Sequence, residues 1–307
     1  MTIVSTSTSA FYQRNAADIG SLRAQAEALQ SQLGRGERLT RSSDDPVAAS
    51  RLRTLARAAT LSGIDLANAN RAAADLTLAD DALSGIASTI ARAQELATQA
   101  ANSSLNAQQR SAIGAELSQM HDSLVALANT RDSTGHALFG GNATGPAYTL
   151  DAAGNAVYCG SASAGELPLG EGQSVGRAPT GPELFSFTGA NGAQSDLMQV
   201  IKDLGAALQG GVADPAAAAR DALGALGSAL DTVTTGQTLV GARLAWVDLT
   251  TTRRENLGEL RAAEQSEIGG TDIAETVARM QQVMLVLEAS QAGFAKLSSL
   301  SLFDTLR

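Results

Sequence analysis

Between Asp272 and Leu297 apolar side chains return at alternating steps of four and three: Ile273, Val277, Met280, Met284, Leu287 and Phe294, with Gln291 in the remaining place. That is the seam of a helical coiled coil, and a seam needs a partner helix. Near the other end of the chain Tyr12, Asn15, Ile19, Leu22, Ala26, Leu29 and Leu33 repeat the same step. The two terminal helices are therefore expected to pair with each other or with neighbouring subunits. The glycine breaks at Gly34-Gly36 and Gly269-Gly270 separate both seams from any larger core, which favours the intermolecular choice. Ile19, Leu22, Leu29 and Leu33, with Ile273, Val277, Met280, Met284, Leu287 and Phe294, are the expected assembly interface.

Inside these seams the hydrophobic pattern predicts an out-and-back layout. Asp44 or Asp45 offers an N-cap with Pro46 at the first helical position, where its missing N–H costs nothing, so a helix is expected from Pro46 to about Ala101. Leu76, Ala79, Leu83, Ile86, Ile90 and Ala93 keep the four-three step along it. Asn106 and Gln109 form a capping-box pattern, and Ile113, Leu117, Met120, Leu124 and Leu127 mark a second helix that should fold back antiparallel on the first. From Asn142 to about Asn191 the composition shifts to Gly, Ser and Pro, with alternating segments Ala147–Leu150 and Ala156–Cys159 around the turn Ala153-Gly154-Asn155: a small β-rich insert. Leu197, Ile201, Leu204 and Leu208 then restart helix. Asp214-Pro215 opens another long helix carrying Leu223, Leu226, Leu230, Val233, Val240, Leu244 and Val247, whose seam should slip toward Leu257 and Leu260 as at a stutter. Asp272 and Glu275 cap the terminal helix.

The expected fold is mainly α, an elongated antiparallel helical bundle or coiled coil with a small β-rich insert. Five segments follow: an N-terminal assembly helix (1–40), a long-helix arm (41–141), the outer insert (142–191), the returning arm (192–268) and a C-terminal assembly helix (269–307). Length alone suggests roughly two domains.

Composition sharpens this picture. Hydrophobic residues make up 44% of the 307 but aromatics only 3%, so the apolar surface is mostly Ala, Leu and Val, suited to close-packed helices. The net charge of -9 argues against nucleic-acid backbones or anionic membranes as partners. No window reaches the roughly 18 apolar residues of a membrane span, and the start lacks the charged and apolar regions of a secretory signal, which by the general pathway would leave the protein in the cytoplasm.

Candidate chemistry is sparse. Cys159 has no cysteine partner, and with His121 and His136 it makes no recognisable metal-ligand spacing. The histidines read as helix-surface or turn residues and Cys159 as a partly buried thiol of the insert. The nucleotide-, zinc- and serine-hydrolase motifs are missing, so neither an enzyme nor a cofactor is expected.

Several stretches together also resemble a known family. SSDDPVAAS (42–50), ARAQELATQAANSSLNAQQRSAIGAEL (91–117), LANTRDSTGHALFGG (127–141), VGARLAWVD (240–248) and the ending QAGFAKLSSLSLFDTLR (291–307) are similar to the flagellin superfamily, specifically to its hook-filament junction proteins. Where flagellins usually carry a DDAAGLAI-like sequence this chain has DDPVAASRL, and it ends in SLFDTLR in place of an LSLLR-like tail. The resemblance implies a structural adaptor of the bacterial flagellum, exported by the flagellar type III apparatus without a cleaved signal. It would lie outside the cell between the other hook-associated junction protein and flagellin, in a ring of its own copies. It further implies an export chaperone on the C-terminal region, with Met280, Met284, Leu287 and Phe294 as candidate contacts, and no nucleic acid or membrane insertion. Asp44, Asp45 and Pro46 read as a structural helix cap, with the acidic pair also available to a neighbour's arginines. A filament subunit of flagellin type, or a surface-exposed protein binding a ligand through the insert, shares the layout and stays open as the alternative.

Overall fold

The computed structural model describes residues 3–304 except 40, 103, 190 and 191, with side chains from 10 to 297. The helices are α1 (Ile3–Arg35), α2 (Pro46–Ala100), α3 (Ala107–Ala128), α4 (Gly181–Phe185), α5 (Leu197–Ala206), α6 (Pro215–Gly269) and α7 (Ile273–Asp304). Between α3 and α5 lie β1 (Tyr148–Leu150), β2 (Ala156–Tyr158), β3 (Glu166–Gly170), β4 (Gln173–Gly176), β5 (Ser186–Thr188) and β6 (Gln194–Asp196). The strands pair antiparallel as β1-β2, β3-β4 and β5-β6. The chain is thus mainly α with short strand pairs, in two compact units: Met1–Thr60 with Leu257–Arg307, and Leu61–Asn256. Both α2 and α6 contribute to each.

In the 61–256 unit the predicted row on α2 is the core. Leu76, Ala79, Leu83, Ile86, Ile90 and Ala93 are all buried and meet Leu117 and Leu124 of α3 and Leu226, Val233 and Val240 of α6. Arg92 of α2 pairs with Glu116 at 2.9 Å, while Gly85 faces Leu127, so α3 does run back antiparallel along α2. Its start is the predicted capping box: Gln109 N donates to Asn106 Oδ1 at 2.9 Å and Asn106 N to Gln109 Oε1 at 3.0 Å, contributing about 1 kcal/mol. Gly114 lets α5 approach, since a Cβ there would stand 2.7 Å from the Gly205 carbonyl oxygen.

The insert hangs on the end of α3. Asn129 just past that helix donates from Nδ2 to the Tyr148 carbonyl and accepts from the Tyr148 N–H, each at 2.9 Å, so one amide side chain imitates a strand neighbour for β1. Behind it Phe139, Tyr148, Tyr158 and Phe185 stack edge-on or tilted with ring centres 5.3 to 5.9 Å apart. This cluster uses four of the chain's ten aromatics, and burial holds the Tyr148 phenol protonated by raising its pKa.

Three expectations need correction. The seam of α6 does not stutter: it continues in three-four steps from Val247 through Thr250 and Arg254 to Leu257, while Leu260 is 68% exposed. Polar side chains fill those core positions, so a reading of apolar residues alone loses the register. His121 is buried, with its Nε2 unpartnered and Asp122 3.5 Å from Nδ1, because α5 covers that face of α3. Cys159 is exposed, beside the Thr149 hydroxyl at 3.1 Å.

Asp196 is the N-cap of α5, accepting from Met198 N at 2.9 Å. Burial nevertheless raises its pKa, overcoming the bonds from Met198, Gln199 and Ser186 and the attraction of His121. A raised carboxyl pKa favours folding below the unfolded pKa and loses that benefit as pH rises through the folded value. Asp196→Asn keeps the cap acceptor and removes the buried charge. Urea unfolding is therefore expected to give a higher midpoint for the variant at about pH 7, with the gain shrinking as the pH is lowered and the wild-type carboxyl takes up its proton.

Candidate assembly interface

The unit formed by Met1–Thr60 and Leu257–Arg307 brings the two terminal seams together within one chain. Tyr12 meets Phe294 edge-on at 5.6 Å and its hydroxyl lies 3.4 Å from the Leu297 carbonyl, while at the other end Glu37 bridges Gly270, so α1 and α7 run antiparallel. On α1 the covered positions are the predicted ones: Ala26 is buried, and Tyr12, Asn15, Ile19, Leu22, Leu29 and Leu33 are half-buried. On α7 the phase differs in part. Leu287 is buried and Val277, Met280 and Phe294 half-buried, but the intervening seam places are Thr276, Val283 and Ser290. Gln291 faces solvent, and Ile273 and Met284 are 67% and 53% exposed.

The difference follows from the run Val283-Met284-Leu285-Val286-Leu287. Five consecutive apolar residues span more than one helix face, so two seam phases fit the sequence equally well. The pairing chosen puts small Thr276 and Ser290 inward, where helices approach closely. It leaves Leu285 and Val286 exposed beside Met284. Sequence reasoning missed Leu285 and Val286, although the unbroken run signals that no single partner can cover it. Between α1 and α7 opens a groove of ≈ 490 Å³ lined by Leu22, Ala28, Leu29, Val283 and Val286, with Arg279 and glutamines at its rim.

The linkers carry a clasp. Gly36 takes φ 70° at the end of α1, a conformation that suits glycine, and its carbonyl accepts from Thr271 N at 3.0 Å. Arg38 N donates to the Gly269 carbonyl at 2.8 Å and its guanidinium to the Ile268 carbonyl at 3.1 Å, with Asp45 3.5 Å away. The two glycine breaks are thus tied to each other.

Asp45 caps α2 ahead of Pro46, accepting from Ala48 N at 3.0 Å, whereas Asp44 turns back to accept from Arg41 N at 2.8 Å. The bond from Ala48 N, helped by the Arg38 guanidinium, holds the Asp45 carboxyl below its ordinary pKa against the opposing cost of burial. On the solvent-exposed side of α2 and α6, Arg51 Nε lies 2.5 Å from Glu264.

Among the described residues no group of three or more His, Cys, Asp and Glu could hold a metal, and no helix is long and apolar enough to cross a membrane.

Residues 6–144 match the bacterial flagellin N-terminal helical region. The chain is 27% identical over 317 residues to flagellar hook-associated protein 3 of Escherichia coli, covering 97% of this chain and 98% of that one. By structure it is similar to FlgL of Xanthomonas campestris, with TM-score 0.60 over 68% of this chain and 99% of that one at 21% identity. It is also similar to the flagellar junction protein FlgL of Legionella pneumophila, with TM-score 0.60 over 71% and 99% at 15% identity. These relatives bear the names of flagellar hook-associated and junction proteins, and none of those names is an enzyme's. The chain thus carries a stretch matching the bacterial flagellin N-terminal helical region, is similar almost from end to end to a flagellar hook-associated protein, and shares the fold of the FlgL structures.

Proposed function

We propose that this protein is the adaptor that joins the flagellar hook to the filament, polymerising through α1 and α7. The observation that carries the reading is the terminal helix pair, which satisfies one seam within the chain while leaving Ile273, Met284, Leu285 and Val286 bare on α7. A monomer gains nothing from four such side chains in water, whereas a ring of copies covers them. The 1–40 and 269–307 segments are then the assembly segments. Relatives whose names carry "hook-associated" and "junction" support placing the other hook-associated junction protein on one side and flagellin on the other. The protein works outside the cell, reached through flagellar type III export. An export chaperone would take Met284 directly. It would reach Met280, Leu287 and Phe294 only with α7 parted from α1, because those three face α1 in the folded chain. The capping role of Asp44, Asp45 and Pro46 is local, and the Gly36–Thr271 clasp holds the terminal pair to the ends of α2 and α6.

Deletion of the gene tests this, with electron microscopy of the cells and an assay of the medium for monomeric flagellin. Complete hooks without filaments and flagellin lost to the medium are expected. Filaments that persist in altered form, or that vanish with no flagellin released, would make the chain a filament subunit instead.

A further inference from the structure

A cleft of ≈ 330 Å³ lies in the 61–256 unit, walled by α2, the loop after α3 and the residue following β4. Arg71 and Arg177 line it from opposite elements, together with Asp75, Asp132, His136 and Thr134. We propose that this cleft binds an oxyanion, a carboxylate or phosphate group held between the Arg71 and Arg177 guanidiniums.

Guanidinium forks are built to grip two oxygens at once, and here two of them face one cavity. Asp75 is the carboxylate whose charge both arginines feel, yet among the described residues neither closes to an ion pair with it. Asp132 is committed elsewhere. Its Oδ1 accepts from Thr134 N at 2.8 Å, Thr134 Oγ1 at 2.7 Å and His136 N at 2.9 Å, which makes it the brace of the loop and leaves the arginines' donors unanswered. That brace also fixes the wall. Gly141 takes φ 64° in the same loop, and Asn142 N is tied to Ser161 Oγ at 2.7 Å. A cleft with two open forks on a braced frame is preorganised for an anion, and preorganisation lowers the cost of binding one.

The charged groups around Asp75 set the direction with pH. Burial first, then Asp132, raise the Asp75 pKa against the pull of Arg177 and Arg71. Burial also works against the Asp132 charge, but the bonds from Thr134 and from the backbone of His136 and Thr134, with the nearby His136 ring, hold its pKa below the ordinary value. As pH falls Asp75 is therefore the carboxylate that takes up a proton first, freeing both arginines. Anion binding tightens on acidification.

The oxyanion could be a free solute or a carboxylate side chain of a second copy, and two measurements separate them. Calorimetric titration of the full chain with sulfate and with formate, two oxyanions that keep their charge between about pH 5.5 and about pH 8, at both of those pH values, reads the first. Saturable binding that is tighter at the lower pH and weakened about tenfold or more in both Arg71→Gln and Arg177→Gln is the expected result. Sedimentation of the same proteins reads the second: no free anion bound, but self-association lost in both variants, assigns the oxyanion to a neighbouring copy. Arg71 is exposed, so its variant folds whatever happens to Arg177. Binding that survives both substitutions, binding that weakens on acidification, or neither anion binding nor altered self-association overturns the proposal.

Discussion

Cells whose only copy of this protein carries Met284→Glu and Leu285→Glu are expected to be non-motile, with bare hooks, although the protein folds normally. The two side chains are 53% and 68% exposed, so their loss removes little packing within the chain. Surface changes of this kind shift stability by about 0.5 kcal/mol or less. Within an assembled ring each copy would bury two unpaired carboxylates against apolar neighbours. The cost is several kcal/mol per copy, on the order of a hundredfold or more in each contact. Circular dichroism and the thermal midpoint of the purified variant should match the wild type, while swimming and filament counts fall to the level of the deletion. The pair Met284→Leu and Leu285→Met, which keeps apolar volume, should swim. Normal motility in the glutamate variant would mean that the bare stretch of α7 is not buried in the assembly.

How much of this was legible beforehand depended on whether one kind of residue decided each element. The α2 row from Leu76 to Ala93, the Asn106 capping box, the cap-plus-proline starts at Pro46 and Pro215 and the hairpin around Gly154 all came directly from the sequence. Each rests on local chemistry or on a long run with one period. The failures share a different cause. On α6 the seam places after Val247 are held by Thr250 and Arg254, and on α7 by Thr276 and Ser290, so the register passes through polar or small residues that a count of apolar positions discards. His121 was misplaced because its burial is decided by α5, more than seventy positions on, and nothing near it in sequence says so. The clasp between Gly36 and Thr271 is a pairing of two backbones, to which side-chain patterns are blind. For the proposed assembly face, the terminal seams were visible, but which of their residues stay bare depended on a choice between two phases that only packing makes.

The buried end of the α6 seam leads to the largest stability effect expected of a single substitution. Arg254 is 6% exposed, and its Nη1 lies 2.8 Å from Asp65 Oδ2 on α2, with no partner for its Nε among the described residues. The tip of the β3-β4 hairpin closes over the pair: Gly170 sits so near that a Cβ there would fall inside the Asp65 carboxylate. Arg243 donates to the Arg177 carbonyl just past β4, so the hairpin is held to α6 on its other side. Asp65→Ala leaves the guanidinium buried without its counter-charge, and a loss of about 3–5 kcal/mol is expected in urea unfolding. The attraction within the pair is not what makes the cost large. Two charges taken from water barely recover their hydration by meeting, so replacing both should cost far less than replacing one. The variant Asp65→Leu with Arg254→Met is therefore expected to recover most of the lost stability, and a double-mutant cycle gives the coupling directly. If Asp65→Ala costs less than about 1 kcal/mol, water reaches Arg254 and the pair behaves as a surface salt bridge. A double variant as unstable as the single one would mean instead that the hairpin needs the carboxylate itself, as the support for the turn at Gly170.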